Sequence, residues 1–348
     1  MKKLFLTLLY FIFIIHSSFS QVNLAKQWDH TFGGADVEIL TSLVKTSDGG
    51  FILGGFSRSD SSGEISQPTR GGRDFWVVKT DSMGNKVWDK RFGGSFEDRL
   101  FSMDQTYDGG FILGGFTASD SGSGDVTQSS RGSVDYWIVR TDPLGNKLWD
   151  KRLGGNNLDN LSCIQQTADS GFILGGWTFS DSTGEVTGNS RGGEDYWLVK
   201  TDKLGNKQWD KRYGGNSNDE LFFLQQTTNG GYILGGRTFS DSSGEVSQNS
   251  RGASDFWILK TDPLGNKVWD KRFGGADKDF FVALQQTTEG GYILGGYTQS
   301  DIGGDVSEIT RDTALTAARK GDFWIVKIDS IGTKKWDKRF GGFWVEDA

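Results

Sequence analysis

The tetrapeptide Trp-Asp-Lys-Arg, closing on Gly-Gly, constrains this chain more than any other feature. KTDSMGNKVWDKRFGG starts at Lys79, RTDPLGNKLWDKRLGG at Arg140, KTDKLGNKQWDKRYGG at Lys200 and KTDPLGNKVWDKRFGG at Lys260. Trp-Asp recurs at Trp28, Trp88, Trp149, Trp209, Trp269 and Trp336, at intervals of 60, 61, 60, 60 and 67 residues. A repeat of this length is one supersecondary unit that buries its apolar faces only against its neighbours.

Each unit holds four segments of strand character. In the fourth these are Glu220–Thr227, Tyr232–Thr238, Asp255–Thr261 and Lys267–Phe273. Asn-Gly-Gly and Asp-Gly-Gly suit tight hairpins that need a positive φ. Asp-Pro-Leu-Gly suits a β-turn with Pro fixing φ at its second position. Third segments such as FWVV and YWIV are apolar on successive residues, the pattern of a strand covered on both faces. The expected fold is all-β, a β-propeller of four-stranded blades of about 60 residues. A parallel β-solenoid is the rival, but its coils are shorter and lack tight hairpins. Five complete units fall at about residues 35–94, 95–155, 156–215, 216–275 and 276–342, within a repeat domain at 21–348. An additional fourth strand, NLAKQWDHTFGG, precedes them. The count implies either an intact ring of at least six blades or a five-bladed ring with a surplus strand.

A motif present in every unit is distributed around a ring, whereas catalysis needs a few unlike groups at one spot. WDKR therefore reads as structural, its Trp wedged between blades and its charges (Asp89 and Arg91 in the first unit) facing solvent along the outer rim. Cys163, the single cysteine of 348 residues, excludes an internal disulfide. It aligns with Ser42, Ser102, Phe223 and Ala283, and reads as a small core thiol.

Residues 1–20 stand apart. Lys2 and Lys3 precede the apolar run Leu4–Ile15, and Ser18 and Ser20 place small residues before a cut at Gln21. This is the pattern of a cleaved secretory signal, so a secreted or cell-surface protein is expected, with no membrane insertion after cleavage. Losing Lys2 and Lys3 takes the net charge from −7 to −9. That charge opposes nucleic-acid binding, which needs a basic surface.

The pattern DGGFILGGFT, a polar loop, then DYWIVRTDPLGNKLWDKRLGG resembles propeller-type repeats of secreted Bacteroidetes proteins and is similar to delta-60 repeats. The resemblance covers about residues 24–348. It implies export, often by type IX secretion with a C-terminal sorting domain, and no such domain is read in residues 24–348. It implies no activity.

The hairpin turns are short, so function is expected on the opposite face, where the longer loops lie. Recurring acids there, Asp60/Glu64, Asp120/Asp125, Asp181/Glu185, Asp241/Glu245 and Asp301/Asp305, read as turn caps, with calcium sites as the alternative. Further acids recur where the third strand opens (Asp74, Asp135, Asp195, Asp255, Asp322) and after Gly-Gly (Glu38, Asp98, Asp159, Asp219, Asp279, Glu346). After signal cleavage one histidine remains, His30, too few for a zinc site or a Ser-His-Asp triad. No catalytic residue is assigned. The residue after Leu-Gly-Gly varies as Phe56, Phe116, Trp177, Arg237 and Tyr297. An aromatic there can stack on a sugar ring or pack between blades. Five weak equivalent sites would act through avidity. The expected function is a non-enzymatic binding or adhesion module for a glycan or surface protein. The alternatives are a glycosidase using loop-face carboxylates and a purely structural part of a larger surface protein. The fifth unit inserts DTALTAARK, Asp312–Lys320.

Overall fold

The structure, a computed structural model, describes residues 26–310 and 321–341. The leader, the Asp312–Lys320 insertion and Glu346 lie outside the described residues. Among the described residues twenty strands form five sheets. The first contains β1 (Glu38–Lys45), β2 (Phe51–Ser57), β3 (Asp74–Thr80) and β4 (Lys86–Phe92). The second contains β5 (Asp98–Gln105), β6 (Phe111–Thr117), β7 (Asp135–Thr141) and β8 (Lys147–Leu153). The third contains β9 (Asp159–Gln166), β10 (Phe172–Thr178), β11 (Asp195–Thr201) and β12 (Lys207–Tyr213). The fourth contains β13 (Asp219–Gln226), β14 (Tyr232–Thr238), β15 (Asp255–Thr261) and β16 (Lys267–Phe273). The fifth contains β17 (Asp279–Gln286), β18 (Tyr292–Thr298), β19 (Asp322–Ile328) and β20 (Lys334–Phe340).

Every sheet is an antiparallel meander in sequence order. The first strands of successive sheets pack together, β1 on β5, β5 on β9, β9 on β13 and β13 on β17. Residues from the first four sheets line one shared cavity beside these inner strands. Radially arrayed meanders around a common axis are a β-propeller, and the sheets are its blades.

Each inner strand carries a β-bulge, between Leu40 and Ser42, Leu100 and Ser102, and at the matching place in the other three. The additional residue is Thr41, Phe101, Ser162, Phe222 or Val282. The bulge explains the Leu-x-x-Leu spacing: Leu100 and Met103 are both buried, although an unbroken strand would turn them to opposite faces. It also leaves one residue per blade unpaired on the axial side.

The core is divided among the junctions. Tyr136, Ile138 and Leu153 of the second blade pack on Leu161, Leu174 and Trp197 of the third, and the other three junctions repeat this cluster. Third-strand aromatics meet across each junction, with Tyr136 and Trp197 centroids 4.5 Å apart and Tyr196 and Trp257 4.6 Å apart. The Tyr136 hydroxyl donates to the Trp197 carbonyl at 3.0 Å. The WDKR tryptophan does wedge between blades: Trp88 meets Phe111 at 5.9 Å and Trp149 meets Phe172 at 6.0 Å.

The WDKR charges depart from expectation. Asp89 and Arg91 are buried, as are their counterparts in all five blades. Each β2–β3 type loop folds back over the fourth strand of its own sheet and encloses them. In the first blade the Ser66 amide donates to Asp89 Oδ2 at 2.9 Å, and the Arg91 amide donates to Gln67 Oε1 at 2.6 Å. Asp150 also accepts the indole N–H of Trp137 at 3.0 Å and the Lys147 ammonium at 2.9 Å. Arg152 reaches Asp135 at 2.5 Å, and Arg212 reaches Asp195 at 2.9 Å. Alternation placed these charges opposite the apolar residues; it gave no sign that a loop covers that side too.

This buried Asp explains the Gly-Gly that follows. A Cβ on Gly93 would collide with Asp74 Oδ1, and the same holds for Gly154 against Asp135. The next glycine, Gly94, faces Ser119, whose Cβ would lie 2.7 Å from a Cβ there. Its amide donates to Asp98 Oδ2 at 2.7 Å. Burial pushes the Asp98, Asp159, Asp219 and Asp279 carboxyls up to about 6. Cys163 sits in the inner-strand packing as expected, its thiol donating to the Gly175 carbonyl at 3.4 Å, with burial raising its pKa.

Candidate functional site at the axial mouth

Three of the columns that differ from blade to blade lie together in the structure, although others vary too, among them Ser42, Ser102, Cys163, Phe223 and Ala283. One is Ile39, Arg99, Asn160, Glu220 and Phe280, at the start of the inner strand. The second is the bulge residue. The third is Phe56, Phe116, Trp177, Arg237 and Tyr297, the column singled out from the sequence. The first and third are cross-strand partners: Phe116 pairs with Arg99, Trp177 with Asn160, and Arg237 with Glu220. The bulge then directs the second column to the axis beside them. A cavity of about 460 Å³ there is lined by Thr41, Phe101, Asn160, Ser162, Trp177, Glu220 and Phe222.

The five post-Leu-Gly-Gly residues therefore do not form five equivalent pockets. Phe56 is buried under Phe101, with centroids 6.4 Å apart, and Phe101 in turn meets Phe116 at 5.8 Å. Arg99 lies over both Phe56 and Phe116 at 5.4 and 5.7 Å. Its Nε is 3.0 Å from Glu97. Trp177 lies 6.0 Å from Phe179, edge-on, and lines the cavity itself. Arg237 pairs with Glu220 at 2.7 Å and lies over Phe222, Phe239 and Phe280 at 5.3–5.6 Å. Tyr297 stacks on Phe280 at 4.5 Å. A guanidinium over an aromatic face is a cation–π contact that also stiffens the wall.

Glu194 is the group whose ionisation is set by this mouth. Burial first, then the nearby charge of Glu220 and a hydrogen bond between the two carboxyls, push its pKa up to about 7. Asn218 donates to Glu194 Oε2 at 3.2 Å. Arg99, Phe101, Asn160, Glu194, Glu220 and Phe222 were missed by motif reasoning, which looked for recurring residues. The signal was the opposite one, disagreement between repeats at fixed positions.

Nine of the ten loop acids have backbone-amide or arginine partners in this geometry. Asp60 Oδ1 accepts the Ser61 and Thr69 amides at 2.8 and 3.2 Å. Asp120, Asp181 and Asp241 each accept one serine amide at 3.1 Å. The second acid of the loop faces the preceding blade. Asp125 pairs with Arg70, Glu185 with Arg131 at 2.7 Å, Glu245 with Arg191, and Asp305 with Arg251. Glu64 accepts the Gly33 amide at 3.1 Å. Among the described residues no group of three or more His, Cys, Asp and Glu is placed to hold a metal ion. The carboxylates are spread in pairs with cationic or amide partners, which does not fit calcium's demand for six to eight oxygens.

No family model matches the chain. Regulatory protein FlaEY of Caulobacter vibrioides is 26% identical over 206 residues, which is 56% of this chain and 22% of that protein. A Bacteroides caccae protein of unknown function superposes with a TM-score of 0.46 at 12% identity, covering 87% of this chain and 82% of that one. The WD40 domain of Neurospora crassa Pan2 gives 0.45 at 11% identity, covering 90% and 75%. The architecture is carried by the sheet order and packing described above.

Proposed function

We propose that the protein is a secreted, non-enzymatic binding propeller whose ligand site is the axial mouth and whose ligand is a glycan. The observation that carries this reading is the placement of variation. In five similar blades, three of the columns that differ converge on one cavity, and they mix aromatic faces with amide, hydroxyl and carboxylate groups. Trp177, Phe101 and Phe222 offer stacking surfaces, while Asn160, Ser162 and Glu220 offer hydrogen bonds. That combination suits a sugar, which has an apolar face and a hydroxylated edge. Because the five positions are unlike, the site is single and asymmetric, in place of five weak equivalent ones. Export rests on the leader, and the net charge of −9 after its removal is consistent with a ligand other than nucleic acid.

The glycosidase alternative draws on Glu194 and Glu220, two carboxyls at one place. Glu220 raises the pKa of Glu194 and is itself held by Arg237. A glycosidase needs two carboxyls free to flank the scissile bond, and the engagement of Glu220 by Arg237 favours binding over hydrolysis.

The test is a glycan array probed with the chain from Gln21, followed by titration of the best ligand against Trp177→Ala and Glu220→Gln. Binding is expected, with at least about a tenfold loss in each variant, which is about 1.4 kcal/mol. No glycan retained, or affinity unmoved by either change, defeats the reading. Release of reducing sugar from any bound glycan would return the enzyme.

A further inference from the structure

The end of the molecule opposite the axial mouth, where the short hairpin turns lie, also carries residues that break the repeat, and four of them meet at one junction. Tyr107 stands where the other blades have Ser47, Ala168, Thr228 and Thr288. Arg140 replaces Lys79, Lys200, Lys260 and Lys327, and Ser170 replaces Gly49, Gly109, Gly230 and Gly290. Lys203 stands where the others have Ser82, Pro143, Pro263 and Ser330. Tyr107 and Arg140 belong to the second blade, Ser170 and Lys203 to the third, and all four line one cleft of about 250 Å³ between them.

The framework of this cleft is common to its neighbours; the residues mounted on it are not. Trp149 and Phe172, the edge-on pair of the junction, line the cleft together with the exposed Leu148 and Leu204. Gln166 Oε1 accepts the Tyr107 amide at 2.8 Å and its Nε2 donates to the Ser170 carbonyl at 3.4 Å, tying the two hairpins together. That bridge fixes the backbone beneath Tyr107, whose ring is left 71% exposed. Ser170 has a φ of 68° and is the one non-glycine residue with positive φ among the described residues. A side chain there costs backbone strain that glycine avoids, so its hydroxyl is present at a local cost. Arg140 is occupied: its guanidinium lies 2.5 Å from Asp108 Oδ1 and donates to the Phe111 carbonyl at 3.2 Å. Lys203 is exposed and forms no ion pair among the described residues. With Asp108 and Arg140 cancelling, the cleft holds one unbalanced positive charge beside an open aromatic ring and a hydroxyl.

We propose that this cleft is a second binding site, separate from the axial mouth, and that it takes a uronate unit of an acidic polysaccharide. The Lys203 ammonium pairs with the sugar carboxylate, the Tyr107 ring covers the apolar face of the sugar, and the Ser170 hydroxyl bonds a ring hydroxyl. One free cation matches a single carboxylate, and the Asp108 carboxylate in the same wall disfavours a doubly charged phosphate. The site uses none of the axial residues, so it does not rest on the reading of the mouth.

Isothermal titration of Gln21–Ala348 tests this, with Trp177→Ala and Glu220→Gln present to remove the axial site and tetrasaccharides of galacturonate, glucuronate, guluronate and mannuronate as probes. At least one should bind, more weakly as salt rises and at least about tenfold more weakly as its methyl ester. Lys203→Ser and Tyr107→Ser install residues that other blades carry, so each variant should fold, as checked by circular dichroism. Each should weaken uronate binding at least about tenfold, and neither should alter glycan binding at an intact axial mouth. Ser170→Gly should weaken uronate binding without lowering the melting temperature, since glycine relieves the strain. No uronate bound at millimolar concentration overturns the proposal, as does an ester bound as tightly as its acid. Binding unmoved by Lys203→Ser overturns it too. Octanoate bound where no uronate binds would also overturn it, assigning the cleft to an alkyl carboxylate.

Discussion

The buried Asp–Arg–Trp girdle and the axial mouth lie in the same blades and follow opposite rules. In the girdle, Asp135, Arg152, Trp137 and Asp150 have the same counterparts in every sheet, with the same partners. At the mouth no two blades present the same set of residues at the three variable columns. A group that must fit between two identical neighbours has one solution, so it is repeated. A group that faces only the central cavity is free of that constraint, and its identity is available for recognition. The repeated residues build, and the unrepeated ones bind.

The comparison breaks first at the girdle. Arg152→Ala leaves Asp135 buried without its cation and should cost about 3–5 kcal/mol, read by urea unfolding. A loss below 1 kcal/mol would mean that the pair is not structural. At the mouth, Phe222→Ala should do the reverse: glycan affinity falls at least about tenfold, while the melting temperature moves much less than for Arg152→Ala. Equal destabilisation in both variants would erase the distinction.

Glu194 sharpens it further. With its folded pKa at about 7, above the ordinary carboxylate value, the folded protein holds a proton that the unfolded chain has released. Stability from this group is therefore full at low pH and fades as pH rises through about 7. The melting temperature should drop modestly between about pH 5 and 7 and level off above that, and Glu194→Gln should flatten that slope. The inner-strand acids Asp98, Asp159, Asp219 and Asp279, pushed to about 6, act in the same direction between pH 4 and 6. The smallest effect concerns the loop acids. Since Asp125 and Glu185 already have arginine partners, EDTA should leave the melting temperature unchanged, and a drop would restore calcium.

Much of the fold was legible because its signals are local. The hairpin turns, the continuously apolar third strands and the 60-residue spacing placed Tyr232–Thr238, Asp255–Thr261 and Lys267–Phe273 where they are observed. The first strand of that unit was displaced by one residue, starting at Asp219. The bulge at Phe222 was not legible, because it depends on register against β14. Nor was the burial of Arg91, since nothing local shows that the loop between the second and third strands folds over the fourth strand of its own sheet. Half of the site was found: Phe116, Trp177, Arg237 and Tyr297 were singled out, but as separate stacking positions. Their convergence with Phe101 and Glu220 is a property of the radial array, which brings together residues about 60 positions apart.

The most direct test of the division between building and binding is a double readout on one chimera. Asn160, Ser162 and Trp177 are replaced by Arg99, Phe101 and Phe116 of the preceding blade, giving two adjacent blades the same mouth residues. Division of labour predicts a melting temperature close to that of the wild type and loss of the glycan the wild type selects. A chimera that unfolds, or that keeps the same ligand at the same affinity, would contradict it.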